Sequence, residues 1–197
     1  MLNVRNLTLG AYQTNCYLVW AEGSDGCAVI DPGYEADRIL LEAQRAGKYI
    51  DAILLTHGHF DHVGAVRELV KNTGCSVYLC PRELELPLQY TSGRLYHTDA
   101  YGETVTAGGA TFEVIYTPGH TPGSVCLKCG DVLFSGDTLF ADSCGRTDLP
   151  GGNWMDMAKS LKTLAALPGE CKVYPGHGTG TTIAREREVN PYLKGIV

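Results

Sequence analysis

Apolar and polar positions along the chain change period repeatedly. Short runs rich in β-branched and aromatic residues, bounded by Gly, Pro and Asp, predict strands at 2–9, 15–21, 27–30, 52–55 and 76–79. A second series at 103–106, 111–116, 124–128, 132–135 and 172–174 reads the same way. Helical spacing replaces this pattern in three places. Ile39, Leu40 and Ala43 give 36–46 one apolar face; Val66, Leu69 and Val70 do so for 63–71, and Ala158, Leu161, Leu164 and Ala165 for 155–167. Strands mixed with helices in both halves predict a layered α/β protein with sheets inside and helices outside, although periodicity does not fix strand order. No charge block, low-complexity tract or linker interrupts the pattern, so one domain spanning 1–197 is expected.

Composition narrows the class of partner. Sixteen Lys plus Arg against 22 Asp plus Glu give a net charge of −6, which disfavours non-specific attraction to nucleic acid or anionic lipid. A small-molecule substrate is therefore expected, with no nucleic acid and no membrane; oligomeric state is not encoded legibly. Apolar runs such as 17–21 and 52–55 fall far short of the roughly 20 residues that span a bilayer, and the first ten residues lack a signal-peptide core. The expected location is the cytoplasm, and the eight cysteines are expected to be reduced thiols. Cys126 and Cys129 form a Cys-x-x-Cys pair inside a predicted strand with no second pair at zinc-ribbon spacing, so core packing is preferred to a metal or redox role.

The six histidines are distributed differently, with three of them at 57, 59 and 62. They lie in Thr56-His-Gly-His-Phe-Asp-His62, directly after the apolar strand 52–55. Imidazoles this close repel one another when protonated, and a metal removes the conflict by binding the neutral rings. His57 and His59 can face one way in an extended loop, while Asp61 and His62 at the start of the next helix turn towards a neighbouring position. One segment can thus serve two metals, each needing further ligands. The alternative is a polar loop with accidental histidines. Candidates for the remaining ligands are His120 in the turn-dense 116–124, Asp137 at the end of 133–138 and His177 in 173–178. Each alone reads as an ordinary turn residue; three strand ends with Gly followed by a ligand type, beside the first cluster, read together as a metal site.

Thr-His-x-His-x-Asp-His followed in order by Gly-His, Gly-Asp and Gly-His resembles the metallo-β-lactamase superfamily. The resemblance runs from about Asn15 to the C-terminus and implies a four-layer αββα sandwich with a dinuclear site at one edge of its two sheets. It implies that His57, His59 and His120 hold one metal, that Asp61, His62 and His177 hold the other, and that Asp137 bridges both. Asp31, in Ile30-Asp-Pro-Gly33, matches an aspartate that orients ligands, and a plain turn aspartate is the other reading. Two divalent ions, zinc first and iron or manganese as alternatives, would share a water and supply hydroxide near neutral pH beside the catalytic Asp61. No protein nucleophile is then required, and the chain has no Gly-x-Ser-x-Gly elbow.

The flanking segments narrow the resemblance. Asn15-Cys16-Tyr17, 117–123, 137–140 and Cys144-Gly-Arg146 resemble hydroxyacylglutathione hydrolases, the glyoxalase II group, which hydrolyse thioesters such as S-lactoylglutathione. Arg146 matches a basic residue that meets the glutathione moiety there, with an unliganded surface arginine as the alternative. Members of that group carry an aromatic residue where this chain has Asp148 and a tyrosine where it has Thr179, and they append a helical glutathione-binding domain. Only twenty residues follow His177, so no such domain is expected and the match is to small single-domain members. Gly145-Arg-Thr-Asp148 also resembles persulfide dioxygenases, which use one iron; the matching ligands are His57, His120 and Asp137. The irregular segment 83–101, with Tyr90, Arg94 and Tyr96, reads either as a pocket wall or as a surface connection, and His97 is left outside the site.

Overall fold

The computed structural model describes residues 1–93 and 96–194. In one sheet, β1 (Leu2–Leu9), β2 (Thr14–Ala21), β3 (Gly26–Ile30), β4 (Tyr49–Leu54) and β5 (Ser76–Tyr78) lie in chain order, antiparallel from β1 to β3 and parallel from β3 to β5. The second sheet uses β6 (Thr104–Ala107), β7 (Ala110–Tyr116), β8 (Val125–Cys129), β9 (Val132–Gly136), β12 (Lys172–Pro175) and β13 (Thr181–Thr182). Its order is β13-β12-β9-β8-β7-β6, with β9 and β12 in parallel and the other neighbours antiparallel. A separate hairpin is made by β10 (Leu139–Phe140) and β11 (Ser143–Cys144).

Alternation along the strands produces the layers. In β2, β3 and β4 the odd-numbered Val19 and even-numbered Ala28, Ile30, Ala52 and Leu54 face the second sheet, where they meet Phe112, Val125, Leu127 and Phe134. Their strand neighbours Cys16, Leu18, Cys27, Val29 and Ile53 point the other way. There they pack on Ile39 and Ala43 of α1 (Ala36–Arg45) and on Val66 and Leu69 of α3 (Val66–Thr73). On the far side Cys126, Leu133 and Val173 pack against α4 (Trp154–Ala165), α5 (Ile183–Val189) and α6 (Pro191–Lys194) through Met157, Leu161, Leu164, Ile183 and Leu193. Strands buried on both faces carry near-continuous apolar runs, which is why the sequence shows runs there and not strict alternation. The expected αββα sandwich is the observed architecture.

The differences lie at short or charged elements. The single helix expected over 63–71 is two: α2 (Phe60–Val63) and α3, parted at Gly64 and Ala65, where the Ala65 N–H donates to the Pro32 carbonyl at 3.0 Å. The hairpin β10–β11, the two-residue β13 and α5 were not expected; α5 is Ile-Ala-Arg-Glu-Arg-Glu-Val and shows the core only Ile183 and Glu186. Cys126 belongs to the layer under the helices and Cys129 to the layer between sheets, so the two thiols face opposite ways and pack separately. No helix among the described residues is long and apolar enough to cross a membrane.

The parallel pairs β3–β4 and β9–β12 end at the same edge. Asp31 and Thr56 follow β3 and β4; Asp137 and His177 follow β9 and β12. The sheets are joined there. The Tyr17 hydroxyl and the Asn15 side-chain amide both donate to the Pro175 carbonyl, at 2.6 and 3.0 Å, and the Val125 N–H donates to the Thr56 carbonyl at 2.9 Å. The Asn15-Cys16-Tyr17 segment thus works as a fastener between layers.

Phe134 is fully buried between the sheets, with its ring against Tyr17, Phe112 and Tyr174. Phe134→Ala is expected to destabilise the protein by about 3–5 kcal/mol, measured by urea unfolding.

Candidate metal centre

The loop after β4 carries the densest chemistry. His57 and His59 lie in its extended part, and Asp61 and His62 occupy the first turn of α2, so the chain changes direction between the two pairs. His120 arrives from the turn between β7 and β8, Asp137 from the end of β9 and His177 from the end of β12. Ligand atoms of His57, His59 and His120 lie within 4.8 Å of one another, and so do those of Asp61, His62 and His177. Asp137 sits between: its Oδ2 is 3.6 Å from His120 Nε2 and 3.6 Å from His177 Nε2, and its Oδ1 is 3.4 Å from His62 Nε2. Gly176 makes this approach possible, since a Cβ there would lie 2.2 Å from Asp137 Oδ1.

Contacts at the backs of the rings select the tautomers. His120 Nδ1 donates to the Arg146 carbonyl at 2.8 Å and His177 Nδ1 to the Tyr12 carbonyl at 3.1 Å, which leaves each Nε2 as the free acceptor. His62 Nδ1 meets Asp31 Oδ2 at 2.9 Å. Asp31 also accepts from the Thr56 N–H at 2.8 Å and the Thr56 hydroxyl at 2.6 Å, and Thr56 Oγ1 lies 3.1 Å from His57 Nδ1. Asp31 is also close enough to His57 and His62 to form a third ligand group, but its oxygens are already committed to Thr56 and His62, so it orients rings. It does so from a left-handed backbone at φ 50°, a conformation that aspartate tolerates better than most residues.

The residues fit a pair of cations. His57 Nε2, His59 Nε2 and Asp137 Oδ1 are buried without a hydrogen-bond partner among the described residues. His59 Nδ1 and His120 Nε2 stand 2.9 Å apart and His62 Nε2 and His177 Nε2 3.3 Å apart, acceptor against acceptor unless a proton or a metal lies between. Charge divides the site into two halves. Burial, with His62, His120 and His59 around it, holds His57 well below the usual imidazole range, and burial with His120 and His62 lowers His59 to about 4. Burial also works to lower His62, but Asp137, Asp31 and Asp61 outweigh it and raise the ring to about 9. His177 is raised in the same way by Asp61 and Asp137 against its burial. Burial would raise Asp61, yet His177 and His62 hold it below the carboxylate range, and the Thr14 hydroxyl donates to it at 3.2 Å.

The site opens into a cavity of about 620 Å³, walled by Tyr12, Phe60, Tyr90, Phe140 and Leu149. Tyr90 comes from the irregular 83–101 segment, which therefore supplies part of the wall; Arg94 of that segment lies outside the described residues, and His97 is exposed beside Asp99 at 3.6 Å. Arg146 stands at the cavity mouth, mostly exposed, with its guanidinium forked onto Asp148 through two bonds of 2.7 Å. Sequence reading gave no role to Thr14, Thr56, the Tyr12 carbonyl or the walls Phe60 and Phe140, and reached Tyr90 only as part of a candidate wall segment. Thr56 opens the histidine motif; Thr14 and Tyr12 carry no local signal.

A family model described as the metallo-beta-lactamase superfamily matches residues 9–177. A hydroxyacylglutathione hydrolase from Haemophilus influenzae, GloC, is 34% identical, covering 98% of each chain. The crystal structure of BLEG-1 B3 metallo-beta-lactamase superposes with a TM-score of 0.88 at 35% identity, covering 99% of this chain and 100% of that one. TTHA1623 in a di-iron-bound form gives a TM-score of 0.86 at 41% identity, covering 96% and 100%.

Two outcomes are expected of chelator-treated protein. His62, raised from an unfolded value of about 6.5, contributes stability that is complete below that pH and is lost as pH rises through about 9. His59, lowered to about 4, contributes the opposite loss as pH falls from about 6.5. For these two rings the metal-free fold is most stable near neutrality and weaker on both sides, read from urea midpoints across pH. Restoring a divalent metal at about 1,000 times its Kd adds about 4 kcal/mol, or roughly 10 °C in Tm for a chain of this length.

Proposed function

The chain belongs to the metallo-β-lactamase superfamily, and from that premise we propose that it is a dinuclear metal-dependent hydrolase of a small thioester or related ester. The observation that carries this reading is Asp137, whose two oxygens reach His120 on one side and His62 and His177 on the other. A carboxylate so placed suits two cations held side by side. His57, His59 and His120 would hold one, Asp61, His62 and His177 the other, with Asp137 between and Asp31 orienting His62. When bound, a pair of divalent ions lowers the pKa of a shared water and polarises a carbonyl oxygen. Imidazole and carboxylate donors accept zinc, iron or manganese; zinc is the first expectation, and the di-iron form of TTHA1623 supports iron as the alternative.

The chain's own residues supply the rest. Asp61, held ionised by His177 and His62, presents Oδ2 3.3 Å from His177 Nε2 and keeps its negative charge for a cation, with an oxygen that can accept a hydrogen bond from a water in the cavity. Aromatic walls on either side of the ligands shield a bound ester from bulk water and offer an apolar surface to its acyl and thiol groups. The likeness to GloC supports a thioester. Arg146 is the cation placed for a substrate carboxylate, in competition with Asp148; an exposed ion pair of this kind is weak enough to exchange partners. Eight free thiols suit a reducing cytoplasm, the location proposed here.

An iron persulfide dioxygenase is the second reading. It rests on the resemblance of the Gly145-Arg-Thr-Asp148 segment, whose Arg146 carbonyl holds His120 Nδ1, to that group.

Metal analysis with parallel assays of thioester hydrolysis and oxygen uptake separates the two. The hydrolase reading expects two metals per chain and turnover of S-lactoylglutathione or a simpler thioester, with Asp61→Ala lowering kcat about 10²–10⁴-fold. One iron per chain with oxygen uptake on a persulfide, and no hydrolysis, would replace it with the dioxygenase. Asp148→Asn releases Arg146 and is expected to lower KM severalfold for a thioester bearing a carboxylate, while Arg146→Ala raises it with little change in kcat; an unchanged KM in both variants removes Arg146 from the substrate site.

A further inference from the structure

Glu83 has no part in the reading above, yet it is 0% exposed. It lies in the 3₁₀ turn Pro81–Glu85 that follows β5. Its Oε2 accepts from the Gly58 N–H at 2.7 Å and its Oε1 from the Gly123 N–H at 2.7 Å. Gly58 stands between His57 and His59, and Gly123 belongs to the turn that carries His120. One buried carboxylate therefore ties together the two backbone segments that deliver the three-histidine half of the centre.

The same contact accounts for both glycines. A Cβ at Gly58 would lie 3.2 Å from Glu83 Oε2 and press on it, and one at Gly123 would lie 2.7 Å from Oε1, where the carboxylate would have to shift. Hydrogen bonds to a charged acceptor are stronger than neutral ones, and in a site closed to solvent no bulk water replaces them. The other half of the centre has different supports: Asp31 behind His62, the Thr14 hydroxyl on Asp61 and the Tyr12 carbonyl behind His177.

We propose that Glu83 is a positioning residue that sets the spacing of His57 and His59 against His120, and so governs metal affinity at that half of the centre and not at the other. The inference rests on the metal reading given above. Glutamine at this position fills the same volume but turns an NH₂ group towards one of the two N–H donors, so one segment loses its acceptor.

Metal-free protein titrated with Co²⁺ against a competing chelator tests this, with His59→Ala marking which binding step belongs to the three-histidine half. Glu83→Gln is expected to weaken that step about 10–100-fold and to change its ligand-field absorption, leaving the affinity and spectrum of the other step as they were. Equal weakening of both steps, or no change in either, overturns the proposal. If Glu83→Gln does not fold, Gly58→Ala, which presses on Oε2 and the Glu83 Cβ and not on Oε1, is judged by the same two criteria. Unaltered protein that takes up no Co²⁺ refutes the metal reading and this inference with it; unaltered protein that takes up two ions while Glu83→Gln behaves identically refutes the inference alone.

Discussion

Five imidazoles and three carboxylates are held largely out of water at one edge of this sandwich, and the arrangement around them answers the cost of doing so. Ionisable groups stripped of solvent must be paired, neutralised or bound to a cation. Asp31 meets the need outright by accepting from Thr56 and His62, and in doing so it holds the end of β3 to the end of β4. The ligand rings meet it only in part. His57 Nε2 and His59 Nε2 have no hydrogen-bond partner among the described residues, whereas His62 Nε2 and His177 Nε2 face the carboxylates of Asp137 and Asp61.

Charge differs across the centre. In the three-histidine half, burial and crowding hold His57 and His59 neutral. The carboxylate-rich half draws protons onto His62 and His177 in place of a cation. The carboxylate count separates the halves, with Asp61 on one side and no counterpart on the other; where a ring carries a proton, a cation would have to displace it.

Much of the sandwich was legible because burial on two faces leaves a plain mark. Runs such as 27–30 and 132–134 are apolar throughout since alternate residues meet different layers. Elements too short to show a period, β10, β11 and β13, left no such mark, and α5 is disguised by its charges. At the centre, residue types were visible wherever a glycine and a ligand type closed a strand, but their convergence was not, because it depends on β9 and β12 ending beside β3 and β4. Glu83 was invisible for a related reason. A single acidic residue in a polar segment looks like solvated surface until the turn after β5 delivers it between two loops.

Each ligand triad draws on both sheets. His57 and His59 follow β4 while His120 follows β7; Asp61 and His62 follow β4 while His177 follows β12. The ring contacts involved span 61 and 115 residues of chain. An ion bound to either triad is thus a long-range cross-link, closing a loop that would be entropically expensive to close in the unfolded chain. Disulfides provide such links according to the redox state of their surroundings; here the link would follow metal supply, tying the seam between the two sheets to the ions that occupy it.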